Sequence, residues 1–215
     1  MPQQSDNTAS WKAALWLAGI TVFYNIIEGV VSVGFGWSDE TLSLFGFGLD
    51  SFVEVISGIG IWHLVVRTMR SGTHNDRFEK TALRITGTAF YLLTAGLVLT
   101  AAYNIYTHSK PSTTIWGIVI SAISIITMTV LMTAKLRVGK KLNSPAIIAD
   151  AHCTRTCIYL SIILLGASVV FELFHIAFID AIGALGIAYY AFMEGKEAFE
   201  KAKGKSCGCG GKCGD

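Results

Sequence analysis

The chain has 215 residues, of which 52% are hydrophobic and 15% charged, whereas a water-soluble domain carries about a quarter charged residues. A net charge of +2, with no cationic block interleaved with aromatics, excludes a groove that tracks nucleic-acid phosphates. The composition points to lipid as the solvent.

Met1 to Ser10 is polar and reads as a disordered N-terminal tail (residues 1–10). The apolar run that follows, from Trp11 to about Gly36, is long enough to span a bilayer and lacks the form of a cleavable signal. Further apolar runs at about 42–66, 83–106, 114–134, 146–174 and 179–194 bring the expected number of transmembrane helices to six. The last run is short and can extend into the segment from Glu194 to Lys203. The expected fold is all-α: a polytopic six-helix membrane domain over residues 11–195, followed by a Cys/Gly/Lys tail over 196–215 too short to fold by itself.

Lys and Arg near span ends are retained on the cytoplasmic side. The second connection holds Arg67, Arg70, Arg77, Lys80 and Arg84, and the fourth holds Lys135, Arg137, Lys140 and Lys141. The tail adds Lys196, Lys201, Lys203, Lys205 and Lys212, while the other three connections contain only Lys110. Both termini are therefore expected in the cytoplasm, with the chain multi-pass in a plasma or inner membrane.

Ionisable side chains inside spans cost roughly 2.5 to 3.5 kcal/mol each on insertion scales, so each calls for a reason. In the second span Asp50 and Glu54 stand one helical turn apart on one face. Two carboxylates so close repel unless a cation lies between them. In the fifth span Cys153 and Cys157 share a face, with Asp150 one turn before Cys153. The two spans run in opposite directions, and both pairs lie two to three turns from the start of their span, so they can meet near the midplane.

Two carboxylates and two thiolates can close a tetrahedron around Zn²⁺ or a softer ion such as Cd²⁺, and they disfavour Mg²⁺ and Ca²⁺. Each thiol loses its proton on binding, which makes proton antiport the natural coupling. His152 is offset by about 100° from Cys153 and reads either as a fifth ligand or as a packing histidine. Taken alone, Cys153 and Cys157 also fit as small buried hydrophobes, and Asp50 with Glu54 as a polar pair bound to a neighbouring helix.

Glu28 in the first span reads as a counter-charge for Arg155, a structural pair, and a subunit contact would serve Arg155 equally. Glu172, His175 and Asp180, with Asp39 and Glu40, read as a polar exit vestibule or as solvated loop residues, with Asp180 capping the last helix. Cys207, Cys209 and Cys213 lie among glycines that let the chain wrap an ion, so the tail reads as a metal-capture segment or as an unstructured stretch with reactive thiols.

At these residues the chain resembles the cation diffusion facilitator (cation efflux) family. The resemblance lies in Gly46-Phe47-Gly48-Leu49-Asp50-Ser51-Phe52-Val53-Glu54, in Ala149-Asp150-Ala151 followed by Cys153 and Cys157, and in Asp180-Ala181-Ile182-Gly183-Ala184-Leu185. It implies a six-helix, dimeric exporter of Zn²⁺-like ions exchanging against protons, with one metal site shared by helices two and five. Family members usually carry Asp at the position of Glu54, and His and Asp at those of Cys153 and Cys157. That departure makes a softer ion credible.

The family's usual cytoplasmic C-terminal domain has no counterpart in the pattern, so the resemblance is to a truncated branch. The function expected is export of a divalent transition or heavy metal, with the metal ion as cargo and no cofactor. The alternatives are a membrane thiol-disulfide oxidoreductase, which leaves the acids unexplained, and a metal sensor or accessory subunit that binds without transport. No HExxH pair or nucleotide-binding glycine loop occurs, so metalloprotease and ATP-driven pump readings lack support.

Overall fold

A computed structural model describes residues 3–39, 41–71, 76–107, 111–176 and 178–203. They form six helices: α1 (Gln3–Ser38), α2 (Leu42–Ser71), α3 (Asp76–Thr107), α4 (Ile115–Lys141), α5 (Pro145–Phe174) and α6 (Phe178–Ala202). No strand occurs among the described residues.

Helix α1 starts at Gln3, so the polar segment read as a disordered tail is helical from that point. Nothing between Gln3 and Ser10 is Gly or Pro, and a helix already nucleated in the apolar run extends at one hydrogen bond per residue. Helix α4 likewise passes the expected end of its span and carries Lys135 inside the bundle rather than in a connection. Helices α1 to α5 are long and apolar enough to cross a membrane. Helix α6 is the exception among the six by that measure, with Asp180 and Glu194 in its length.

The bundle is polar inside and apolar outside. Trp16, Phe23, Leu92, Leu99, Ile126 and Val130 face outward, while Asn25, Glu28, Asp50, Ser121, Ser124, Thr154 and Ser161 are buried. Water would penalise so large an apolar exterior, and lipid is the medium that accepts it. A hydrophobic core nevertheless ties the helices together, built from Leu44 and Phe47 of α2, Phe90 and Leu97 of α3, Leu160 and Leu164 of α5, and Ile187 of α6.

Small residues set the closest crossings, as packing in lipid requires. A Cβ at Gly48 would stand 2.7 Å from the Val33 amide nitrogen, so this glycine lets α2 touch the α1 backbone. Between α3 and α6, Gly87 faces the Gly195 carbonyl in the same manner. One end of the bundle gathers Trp11, Val65, Val138 and Ile147, the entry to α1, the exits of α2 and α4 and the entry to α5. The other gathers the starts of α2, α4 and α6.

Candidate metal centre

At that second end, carboxylates from α5 and α6 cap neighbouring helices. Asp180 accepts hydrogen bonds from the Leu42 amide (2.7 Å), the Ser43 amide (3.1 Å) and the Ser43 hydroxyl. It thereby satisfies the start of α2 while sitting in the first turn of α6. Glu172 does the same for α4, accepting from the Thr114 amide and from the Thr113 hydroxyl at 2.8 Å. His175 closes α5 in a left-handed conformation, φ 52°, with its amide on the Phe171 carbonyl at 2.7 Å. These residues were expected to line an exit vestibule or to be solvated loop residues, with Asp180 capping the last helix; Asp180 and Glu172 cap the starts of α2 and α4, because helix starts there present unsatisfied N–H groups.

Deeper in the bundle, α2 carries Asp50 and Glu54 on the face turned toward α5. Asp50 is 3% exposed, and its Oδ1 has no hydrogen-bond partner among the described residues. The Cys157 thiol of α5 donates to Glu54 Oε1, and Asn25 Nδ2 of α1 donates to Glu54 Oε2 at 3.0 Å. Asp50, Glu54 and Cys157 all line a cavity of about 80 Å³. From that level the cavity passes Thr156 and Glu194 and reaches Glu197 and Lys201 near the end of α6, and each of the six helices contributes to its wall.

Asp150 lines the same cavity but is engaged elsewhere. Lys135 Nζ pairs with Asp150 Oδ2 at 2.8 Å and donates to Thr154 Oγ1 at 3.1 Å. The carboxylate expected beside Cys153 is thus neutralised by a buried lysine of α4. Glu28, expected to answer Arg155, accepts instead from Tyr24 Oη at 2.9 Å and Ser51 Oγ at 3.1 Å. Register explains this: Tyr24 is one turn before Glu28 on α1, and Ser51 faces it from α2.

The backbone of His152 and Cys153 lies in α5, but their side chains lie outside the described set, as do Cys207, Cys209 and Cys213 entirely. Among the described residues, no three His, Cys, Asp or Glu side chains already stand in a ligand cluster. What α2 and α5 bring together is the Glu54–Cys157 contact with the unpaired Asp50 oxygen in the same cavity.

Sequence reasoning missed three participants. Asn25 interrupts an otherwise apolar stretch, which is the signal that could have found it; Lys135 stands just past the end of its apolar run, among the cations of the fourth connection. Glu194, whose Oε1 accepts from Thr156 Oγ1 at 2.8 Å, stood at the fading edge of the last apolar run.

The family model for the cation efflux transmembrane domain matches residues 18–202. Transmembrane protein 163 of Xenopus laevis is 26% identical over 150 residues, which is 69% of this chain and 52% of that protein. The chain therefore spans about half the length of this curated relative. With a matching domain that runs from α1 to the end of α6, over the helices that form the cavity, the chain belongs to the cation efflux family.

Proposed function

We propose that this chain exports a divalent transition-metal cation, Zn²⁺ or a softer relative such as Cd²⁺, from the cytoplasm in exchange for protons. The observation that carries the reading is the Glu54–Cys157 contact between α2 and α5, beside the unpaired Asp50 Oδ1. Membership of a cation efflux family supports transport, and the donor chemistry supports the choice of ion.

The residues suit such a cargo. Two carboxyl groups one turn apart in a low-dielectric site call for a cation between them. A thiol in the set turns preference toward Zn²⁺ and Cd²⁺ and away from Mg²⁺ and Ca²⁺. Cys153, one turn before Cys157 on the same helix, is the proposed fourth donor, with His152 secondary. Asp150 is left out of the set because Lys135 holds its carboxylate.

In the proposed cycle the cation enters along the cavity from the Glu197 and Lys201 end and reaches Glu54. It replaces the thiol proton that Cys157 shares with Glu54. That proton leaves as the metal binds, so loading and protonation exclude one another. A rearrangement of α2 and α5 then opens the site to the other side, where protonation of the same groups favours release.

Both termini are assigned to the cytoplasm by the cation distribution, and Cys207, Cys209 and Cys213 are assigned to ion capture. Assembly as a homodimer through the membrane helices completes the proposal. The test is flux in proteoliposomes across a metal panel with an imposed pH gradient. Zn²⁺ or Cd²⁺ uptake driven by the gradient is expected, and transport that ignores both the gradient and Cys157→Ala would refute the reading.

A further inference from the structure

We propose that Asn25 of α1 supplies its side-chain carbonyl oxygen to the cation, so that three helices and not two furnish donors. This deepens the transport reading above and rests on it. Asn25 is 1% exposed and lines the same cavity as Asp50, Glu54 and Cys157. Its Nδ2 donates to Glu54 Oε2 at 3.0 Å. That bond sets the amide with its N–H₂ toward Glu54 and its oxygen turned away.

That oxygen, Asn25 Oδ1, has no hydrogen-bond partner among the described residues. Asp50 Oδ1 is in the same position, and both residues belong to one cavity wall. Buried acceptors without donors are rare in folded proteins and call for an explanation. Two of them around one cavity, next to a thiol that can lose its proton, leave acceptor oxygens that neither Lys135 nor any other described donor satisfies. A cation meets both needs together.

The amide differs from the other donors in a useful way. It adds a hard oxygen without adding charge or a proton, so it leaves the charge balance of Asp50, Glu54 and Cys157 unchanged. It also biases the site toward ions that accept oxygen, such as Zn²⁺ and Co²⁺, relative to the thiolate-seeking Hg²⁺. Because the same side chain holds Glu54, α1 is linked to the cargo both directly and through a carboxylate of α2.

The experiment uses the purified full-length protein with Co²⁺ alone as the probe, read by absorption. Cys207, Cys209 and Cys213 are replaced by Ser in every sample, so the thiolate-to-cobalt band reports Cys153 and Cys157, and the d–d bands report the coordination number. Asn25→Leu keeps the size and removes the oxygen, whereas Asn25→Asp keeps an oxygen and removes the N–H₂. Expected are a roughly 10-fold weaker Co²⁺ affinity and altered d–d bands in Asn25→Leu, a smaller loss for Hg²⁺, and recovery of both in Asn25→Asp.

If Asn25→Leu does not fold, Asn25→Val is read in the same way. Unchanged affinity and d–d bands in the apolar variant, with the thiolate band intact, overturn the role of Asn25 and leave the proposed cation site standing. Equal losses in Asn25→Leu and Asn25→Asp also overturn it, because they assign the amide to holding Glu54. Absence of a thiolate band in the protein that keeps Asn25 overturns the cation site and this inference together.

Discussion

The buried pair of Lys135 and Asp150 offers a test whose size follows from its geometry. The side chains are 3% and 15% exposed and meet at 2.8 Å. With an effective dielectric constant of about 20, their attraction is roughly 6 kcal/mol, most of which is offset by the desolvation of both ions. Removing one partner leaves a buried charge alone, which is expected to destabilise the fold by about 3 to 5 kcal/mol. Replacing both by neutral groups of similar volume is expected to restore most of that.

The variants are Lys135→Met, Asp150→Asn and the double substitution, compared by reversible unfolding in mixed detergent micelles. Strong non-additivity, with a coupling of about 3 kcal/mol, is expected from a pair that shares one contact. Single variants within about 0.5 kcal/mol of the parent, or additive losses, would refute the reasoning. A second readout separates the two partners. Lys135 lines the cavity proposed for the cation, so on that proposal Asp150→Asn leaves a free ammonium facing a divalent ion and should weaken metal uptake more than Lys135→Met does.

Further outcomes are expected. Asp180→Ala leaves two buried amides at the start of α2 without an acceptor and should cost about 2 to 4 kcal/mol in the same unfolding assay, with Glu172→Gln milder because that carboxylate is only half-buried. Gly48→Val should destabilise by about 1 to 3 kcal/mol, because the new side chain meets the Val33 backbone, whereas Gly34→Ala, which meets nothing nearby, should be neutral in the same measurement. Asp50→Asn and Cys157→Ala should each abolish metal transport in metal-loaded vesicles while elution on size exclusion stays that of the parent. Metal affinity by calorimetry should fall as pH falls, since each ligating thiol must give up a proton, and a pH-independent affinity would contradict thiolate ligation.

The parts of the site legible in the sequence were those set by spacing within a helix and by the opposite directions of two helices. Asp50 and Glu54 share a face by their spacing, and the spacing alone was enough to read that. Opposite directions for α2 and α5 then made a meeting of Glu54 with Cys157 foreseeable, and they do meet. Partners drawn from a third helix were not legible, because they depend on rotation and depth between helices that apolar runs do not record. Asn25 reaches Glu54 across 29 positions in sequence, and Asp180 reaches Leu42 across 138.

Helix ends were the other gap. Hydropathy marks where lipid begins and is blind to a helix that continues into water, so α1 and α4 outrun their apolar runs. Lys135 was consequently counted among loop cations. Its burial subtracts one charge from that loop without altering which side is richer in them.

The two capping carboxylates also constrain how the bundle can move. Asp180 fastens the start of α6 to that of α2, and Glu172 fastens the end of α5 to the start of α4. Each clasp lies at the end of the bundle remote from Lys201, like the pivot of a pair of tongs. At the opposite end the helices are held by the apolar cluster of Trp11, Val65, Val138 and Ile147, which can slide without breaking a hydrogen bond, whereas parting them at the clasp must first strip amides of their acceptors. In the proposed cycle, opening on that side is therefore the costlier of the two.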